Sequence, residues 1–291
     1  MIIESLFNPK LVNKNYNVLF FIGLIYTSLA IGLSIFVFRS EASMVMVFFT
    51  VLSVLPYVFA SIKHEEEEDM ELEEESSILK EHAKTLTKFM LVFFGMVLAF
   101  AIWYVVLPQE TAGHVFNTQI STINAINSNA TGRVIESVTG NLVSRLDIFQ
   151  RIVMNNLVVL FFCLLFSFLF GFGAIFILTW NASVIGTAIG TIIKSGFEKA
   201  AMLIGFEKAV QYFHVITYGL LRYAIHGIPE ILSYFVAGLA GGIISVAAIK
   251  HDFRSKKYHK IIIDSADLII IAIILVFISG ILEVYVTPAF F

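Results

Sequence analysis

Charged residues are scarce in this chain of 291 residues: Asp, Glu, Lys and Arg make up 14%. A soluble domain of ordinary composition carries about a quarter. Cysteine occurs once, at Cys163 within an apolar run, so a disulfide within the chain is excluded. The sequence also lacks a Gly-rich phosphate loop, a His-Glu-x-x-His zinc pattern and a serine nucleophile with an identifiable base. We therefore expect a protein that is not an enzyme and that uses no cofactor or metal.

Apolar residues dominate instead. They make up 58% of the chain, with 29 phenylalanines, and several runs reach the roughly 20 residues that a membrane-spanning helix needs. The first run is too long for a cleavable signal peptide and lacks a small-residue cleavage site, so we expect it to remain as a helix. The sequence predicts an all-α, polytopic membrane helical bundle without a large soluble domain. Its surroundings are the lipid bilayer, and no nucleic acid is expected as a partner.

The N-terminal part divides into a hairpin and a connector. Residues 1–62 contain two apolar runs, about 17–38 and 43–62, which predict an N-terminal transmembrane hairpin. Residues 63–88 predict an acidic cytoplasmic connector, because nine of the eleven residues 65–75 are Asp or Glu. Such a charge run is typical of a solvated linker or frayed helix. The alternative is a docking strip for a basic partner or divalent cations.

Residues 89–286 form the predicted core of five spans, with an external polar loop at 108–150. The run from Ile152 to Trp180 is too long for one plain span, so we expect it to tilt or to bend at Gly171 and Gly173. The next segment, 182–206, either crosses the membrane or re-enters. The remaining core spans are about Phe89 to Leu107, Ile231 to Ile249 and Asp264 to Val286.

Basic residues set the predicted topology, because Lys and Arg favour the cytoplasmic side. Five of the nineteen lie in residues 250–260, and Lys10 and Lys14 mark the N-terminus. Both segments can be cytoplasmic only if the number of crossings between them is even, which requires 182–206 to cross. We therefore expect about seven crossings, including one short or broken helix, in the cell membrane. The N-terminus is then cytoplasmic and the C-terminus external.

Small residues recur at helical spacing. Ala182, Gly186 and Gly190 repeat every four residues, and Gly238 and Gly242 form a second pair. Such stripes let two helix backbones approach closely in a membrane. We expect internal packing, and a homodimer seam is the alternative. The predicted helix-packing glycines are Gly171, Gly173, Gly186, Gly190, Gly227, Gly238 and Gly242.

His226 and Glu230 are four residues apart, so they share one helical face at the entrance to an apolar run. Ionisable groups are expensive in a membrane and usually have a reason to be there. One interpretation is a structural pair at a helix entrance, with Pro229 at an early helical position. The other is an ion or proton site, with Glu230 as the acceptor and His226 as a titrating partner.

Three asparagines complete the predicted polar intramembrane cluster: Asn155, Asn156 and Asn181. Their amides predict helix caps or hydrogen bonds between helices. Alternatively they line a pathway around Glu230, because broken helices that meet near the midplane form the site of many transporters. That alternative places helix breaks at Asn181 and at His226.

The order of these motifs resembles the stage II sporulation protein M family of bacterial and archaeal membrane proteins. The matching features are Asn155-Asn156 opening a span, the Gly171/Gly173 pair, Asn181 followed by Gly186, and His226-Gly227-x-x-Glu230 before a glycine-rich helix. The resemblance covers about residues 89–286. It implies an integral membrane protein, and in spore formers members of the family act beside cell-wall-degrading enzymes during engulfment and help place them.

The residues and the resemblance together predict a non-enzymatic scaffold or partner subunit of a membrane complex. Its partners would be membrane or envelope proteins. The alternative is a channel or secondary transporter that uses the polar site at His226 and Glu230. The two differ in one requirement, because only a transporter needs a water-accessible cavity that reaches Glu230.

Overall fold

The computed structural model describes residues 17–71, 75–126, 145–171, 173–201, 203–250 and 254–290. Every regular element in these ranges is a helix, which confirms the predicted all-α fold. In chain order the elements are α1 (Asn17–Val37), α2 (Ala42–Glu71), α3 (Glu75–Val106), α4 (Gln109–Val115), α5 (117–126), α6 (Arg145–Phe170), α7 (Ala174–Ala200), α8 (Phe206–Lys250), α9 (Lys256–Ile281), a π-helical turn (Leu282–Val286) and α10 (Thr287–Phe290).

Within the described ranges, six helical segments are long and apolar enough to cross a membrane. They are Asn17–Val37, His82–Val106, Arg145–Phe170, Ala174–Ala200, Phe206–Ile249 and Tyr258–Phe290. The protein is therefore a multi-pass membrane protein. Helix α2 carries a shorter apolar segment, Ala42–Val58, and a crossing there would be the seventh. The segment expected to be short or broken, 182–206, instead belongs mostly to the continuous helix α7.

The long apolar run 152–180 is two helices and not one bent span. Helix α6 ends just before Gly171, and α7 begins just after Gly173. Gly171 has a φ of +72°, a left-handed conformation that glycine adopts without steric cost. The backbone N–H of Ala174 donates to Ser167 Oγ at 3.1 Å, which closes the turn. The prediction of a single tilted or bent span is wrong, because these glycines separate two helices.

The helix breaks expected at Asn181 and His226 are both absent. Asn181 lies inside α7, and its Nδ2 donates to the Ile177 carbonyl at 2.9 Å. Helix α8 runs without interruption through Pro229. The Ser279 hydroxyl donates to the His226 carbonyl at 2.9 Å, beside the carbonyl that Pro229 leaves without its helical donor. Both helices therefore continue where the sequence suggested a break.

Glycines hold α7 close to α3. A Cβ at Gly186 would lie 2.6 Å from the Cβ of Phe100, and a Cβ at Gly190 would lie 2.9 Å from the Cβ of Tyr104. Both distances are well inside the optimal separation of about 3.5–4.0 Å between carbon atoms. A larger residue at either position would push the two helices apart.

Two further glycines set the position of α8. A Cβ at Gly238 would lie 2.8 Å from the Cβ of Ala174 at the start of α7. A Cβ at Gly242 would lie 3.0 Å from the carbonyl oxygen of Gly171 in the α6–α7 turn. The C-terminal half of α8 therefore packs directly against that turn.

Gly227 differs from the other predicted packing glycines, because a Cβ there would meet no atom of the described residues within 4 Å. A further glycine seam, which was not predicted, joins α1 and α3. There Gly23 faces the Val92 carbonyl and Gly95 faces the Phe20 carbonyl. In a membrane such a seam depends on close backbone contact, since lipid is as apolar as the helices themselves.

Part of the predicted polar loop 108–150 is packed into the bundle. Gln119 on α5 is fully buried, and its Oε1 accepts a hydrogen bond from the Ser43 hydroxyl at 2.8 Å. Its Nε2 donates to Ser183 Oγ at 3.2 Å. Gln119 thus connects α5 to α2 and α7. Residues 127–144 of the predicted loop lie outside the described ranges.

The predicted acidic connector, 63–88, is largely helical where the structure describes it. Helix α2 extends to Glu71, and α3 begins at Glu75. Glutamate favours helix intrinsically, and this preference prevails over the like charges at helical spacing. Residues 72–74 lie outside the described ranges.

Candidate functional site

Glu230 lies on α8 inside a candidate membrane span and is partly buried. The hydroxyl of Tyr234, a buried residue one turn later, donates to Glu230 Oε1 at 3.0 Å. The spacing of four residues places the phenol beside the carboxyl group on one helical face. This hydrogen bond replaces part of the hydration that a carboxyl group loses on burial.

A second carboxyl group, that of Glu283, lies in the π-helical turn after α9. This turn packs against α8, the helix that carries Glu230. π-helical turns are rare and are frequent at functional sites. Glu283 is the only charged residue in 268–286, and this isolated charge was a signal that the sequence analysis missed.

His226 is tied to the C-terminal helices and not to Glu230. Its Nδ1 lies 3.2 Å from the Thr287 hydroxyl of α10, and its carbonyl accepts from Ser279 of α9. One turn earlier on α8, Arg222 donates to the Tyr218 hydroxyl at 3.1 Å. The predicted helical face is therefore present, but its two ionisable side chains bond to different partners.

The three asparagines do not join this pair through hydrogen bonds in the described part of the chain. Asn155 is exposed, and its Nδ2 donates to Asn156 Oδ1 at 3.4 Å. Asn156 is 5% exposed, and its own Nδ2 has no hydrogen-bond partner among the described residues. Asn181 bonds within its own helix. The five predicted residues therefore do not form one hydrogen-bonded cluster.

The arrangement around Glu230 supports two kinds of chemistry. A carboxyl pair within membrane spans can exchange a proton or a cation, and it can also connect helices through hydrogen bonds. The hydrogen bonds of His226 connect helices, because they join α8 to α9 and α10. In the described ranges, no group of three or more His, Cys, Asp or Glu residues is placed to hold a metal ion.

Lys194 is a polar residue outside the predicted cluster that connects two helices. Its Nζ donates to the carbonyl oxygens of Leu107 at 2.6 Å and Tyr104 at 3.4 Å. The last carbonyls of a helix have no donor within the helix, so this ammonium group caps the C-terminal end of α3. The contact joins residues far apart in the chain, and no local pattern signals it.

These features define a class: a polytopic, all-helical membrane bundle with a carboxyl pair inside its spans. The family model described as "Stage II sporulation protein M" matches residues 90–288. The chain belongs to the stage II sporulation protein M family, and the resemblance inferred over about 89–286 is confirmed. No curated protein and no solved structure was found to match it.

Proposed function

We propose that the protein is a non-enzymatic scaffold or partner subunit in the cell membrane, which receives a membrane-spanning helix of a partner protein. One observation carries the proposal: an apolar groove that the bundle leaves unfilled between α3, α7 and α8. Membership of a membrane-protein family agrees with this role. The hydrogen bonds of His226 agree with it too, because they fix helices in place.

The groove consists of two adjoining cavities of about 480 Å³ and 140 Å³. Both are lined by Phe94 and Val97 of α3, Ile189 of α7 and Leu220 of α8. Phe94 is 37% exposed and Leu220 is 44% exposed, so the described residues do not fully cover them. The groove therefore offers apolar contact to something outside this chain.

The shape of the surface favours a helix as the occupant. Phe213, Ile216 and Leu220 follow one another at spacings of three and four residues along α8, and all three are exposed. Such a row forms a ridge that fits between the side chains of another helix. Helix α8 has 45 residues and is about 67 Å long at 1.5 Å per residue, so this face is long enough for extended packing.

Gly227 gives a second reason to place a helix here. It lines one of the two cavities, and a Cβ there would meet no atom of the described residues within 4 Å. Small residues at membrane helix interfaces let two backbones approach closely. A partner helix in the groove would supply the neighbour that Gly227 lacks, and the glycine would then serve the packing role predicted from the sequence.

The proposal includes the topology predicted from the basic residues, with a cytoplasmic N-terminus and an external C-terminus. The acidic segment 63–88 would then face the cytoplasm, where a basic partner could meet it. A homodimer is the alternative assembly, with a helix of a second copy in the groove.

Site-specific photocrosslinking in native membranes tests the groove. A photoreactive amino acid at Leu220 should give discrete crosslinked products with another protein, identified by mass spectrometry at a peptide within its membrane span. The matched control is Ile274 of α9, which is 52% exposed and lies outside the groove. Gly227→Leu should reduce the Leu220 product because the added side chain occupies the groove.

Three outcomes of this experiment are informative. Equal products from Leu220 and Ile274 would mean random collision and would contradict the proposal. Crosslinks at Leu220 to lipid alone would also contradict it. A product of twice the mass of the chain would assign the groove to a second copy and favour the homodimer.

One observation favours the alternative function of a channel or secondary transporter. Glu230 and Glu283 place two carboxyl groups in candidate membrane spans on elements that contact each other, and Glu283 lies in a π-helical turn. Ionisable residues in such segments often mark ion or proton pathways. This function requires flux through the purified protein and requires that the flux depends on Glu230.

A further inference from the structure

A basic pocket lies at the junction of α8 and α9, apart from the groove and from Glu230. Arg254, Lys256, His259 and Lys260 line a cavity of about 520 Å³ that is open on one side. Its volume falls within the roughly 300–1,000 Å³ of ordinary ligand sites. Among the described residues, the lining contains three cationic side chains and one acidic side chain, that of Asp264. The pocket is suited to an anion.

The start of α9 fixes the arrangement of these side chains. Ser255 accepts a hydrogen bond from the Tyr258 backbone N–H at 3.1 Å and caps the helix. His259 Nδ1 lies 2.9 Å from the Ser255 carbonyl, an oxygen that only accepts, so Nδ1 carries the proton and donates. Lys256 and Lys260 are four residues apart and therefore share one face of the helix.

The same face of α9 continues with exposed isoleucines, and the half-buried Asp267 lies between Ile263 and Ile270. Ile263 lines the pocket and is 63% exposed, and Ile270 and Ile274 follow it at helical spacing with 55% and 52% exposure. The candidate spans Phe206–Ile249 and Tyr258–Phe290 meet at this junction, so the cations lie where a membrane helix reaches the headgroup region. A cationic pocket and an apolar stripe on one face match the two parts of a phospholipid.

We propose that this pocket binds the headgroup of an anionic phospholipid, whose acyl chains lie along the Ile263–Ile270–Ile274 stripe. Arg254, Lys256 and Lys260 hold the phosphate, because clustered cations at the membrane surface attract anionic headgroups. The stripe distinguishes a lipid from free phosphate, since phosphate has no part that would cover apolar side chains. The proposal does not depend on the scaffold role or on the groove.

Native mass spectrometry of the full-length protein in neutral detergent tests this site. The probes are phosphatidylglycerol and phosphatidylcholine with the same acyl chains. We expect phosphatidylglycerol to bind at least about tenfold more tightly. Combined replacement Arg254→Gln, Lys256→Gln and Lys260→Gln should remove that preference. The charge-preserving pair Lys256→Arg and Lys260→Arg should keep it, which shows that the fold tolerates changes here.

The control removes the same amount of charge elsewhere: Arg151→Gln, Lys199→Gln and Lys208→Gln, none of which lines the pocket. This variant should keep the preference for phosphatidylglycerol. Equal binding of the two lipids by the unmodified protein would overturn the proposal, as would an equal loss in the control. Displacement of phosphatidylglycerol by millimolar inorganic phosphate would overturn the lipid assignment, since it would show that the site takes the free anion.

Discussion

Gly241→Ala is expected to lower the free energy of unfolding by about 1–3 kcal/mol, the usual cost of inserting a methyl group into a well-packed contact. A Cβ at Gly241 would strike the Leu164 carbonyl oxygen of α6 and would lie 3.1 Å from the Phe168 backbone nitrogen. Backbone atoms of a helix cannot move aside singly, so α6 and α8 must separate. This loss of stability should exceed the small stabilisation that the higher helix propensity of alanine normally gives.

The matched control is Gly227→Ala on the same helix, where the new Cβ has open space in the isolated chain. We expect the free energy of unfolding of this variant to be unchanged or to rise by about 0.4–1 kcal/mol. Unfolding can be followed in mixed micelles through the fluorescence of Trp103 and Trp180. Equal destabilisation of both variants would show that the α6–α8 contact is not as close as described.

Gln119→Leu is expected to cost about 2–4 kcal/mol, because two or three buried hydrogen bonds are lost at about 1 kcal/mol each and their partners stay buried. Ser43 loses the acceptor of its hydroxyl, and Ser183 loses a donor. Leucine has a similar volume, so the effect is one of hydrogen bonding. The expected result is an earlier unfolding midpoint in the same micelle titration.

Gln109→Leu is the control for this change, because Gln109 is exposed at the start of α4. It should leave the midpoint within about 0.5 kcal/mol of the original. The pair Ser43→Ala and Gln119→Leu should be less costly together than the sum of the single changes, since they remove one shared bond. Strict additivity would mean that this bond contributes nothing.

Much of the bundle could be predicted from the sequence because lipid imposes simple rules. Apolar runs of sufficient length predict spans, and the runs near 17–38, 89–107 and 264–286 all lie in helices long and apolar enough to cross a membrane. The small-residue repeat at Gly186 and Gly190 lies against a neighbouring helix, as such repeats do in membranes. These features depend on local composition and spacing.

The predictions that were wrong concerned where helices end. Polar residues at Asn181 and a proline at Pro229 suggested helix breaks, but Asn181 bonds within its own helix and Ser279 supplies a donor beside Pro229. Gly171 looked like a hinge within one span, yet its left-handed conformation ends the helix. Asparagine, proline and glycine each permit a helix end, and the residue type alone does not show which of them ends a helix.

The candidate site was predictable in part. An isolated charge in an apolar run identifies Glu230, and the same rule identifies Glu283 when it is applied to the last span. That the turn carrying Glu283 packs against α8 depends on how the helices pack, which no local pattern specifies. The position of Gln119 between α2 and α7 also depends on how the helices pack, so it could not be predicted from a local pattern.

Proton and cation flux through proteoliposomes tests most directly the claim that the protein assembles a complex and does not transport. Glu230→Gln is a suitable comparison, because the glutamine carbonyl can still accept from Tyr234. We predict that liposomes containing the purified protein, or this variant, leak at the rate of empty liposomes under a pH gradient or a potassium gradient. Flux that the unmodified protein supports, and that a folded Glu230→Gln variant abolishes, would contradict the account.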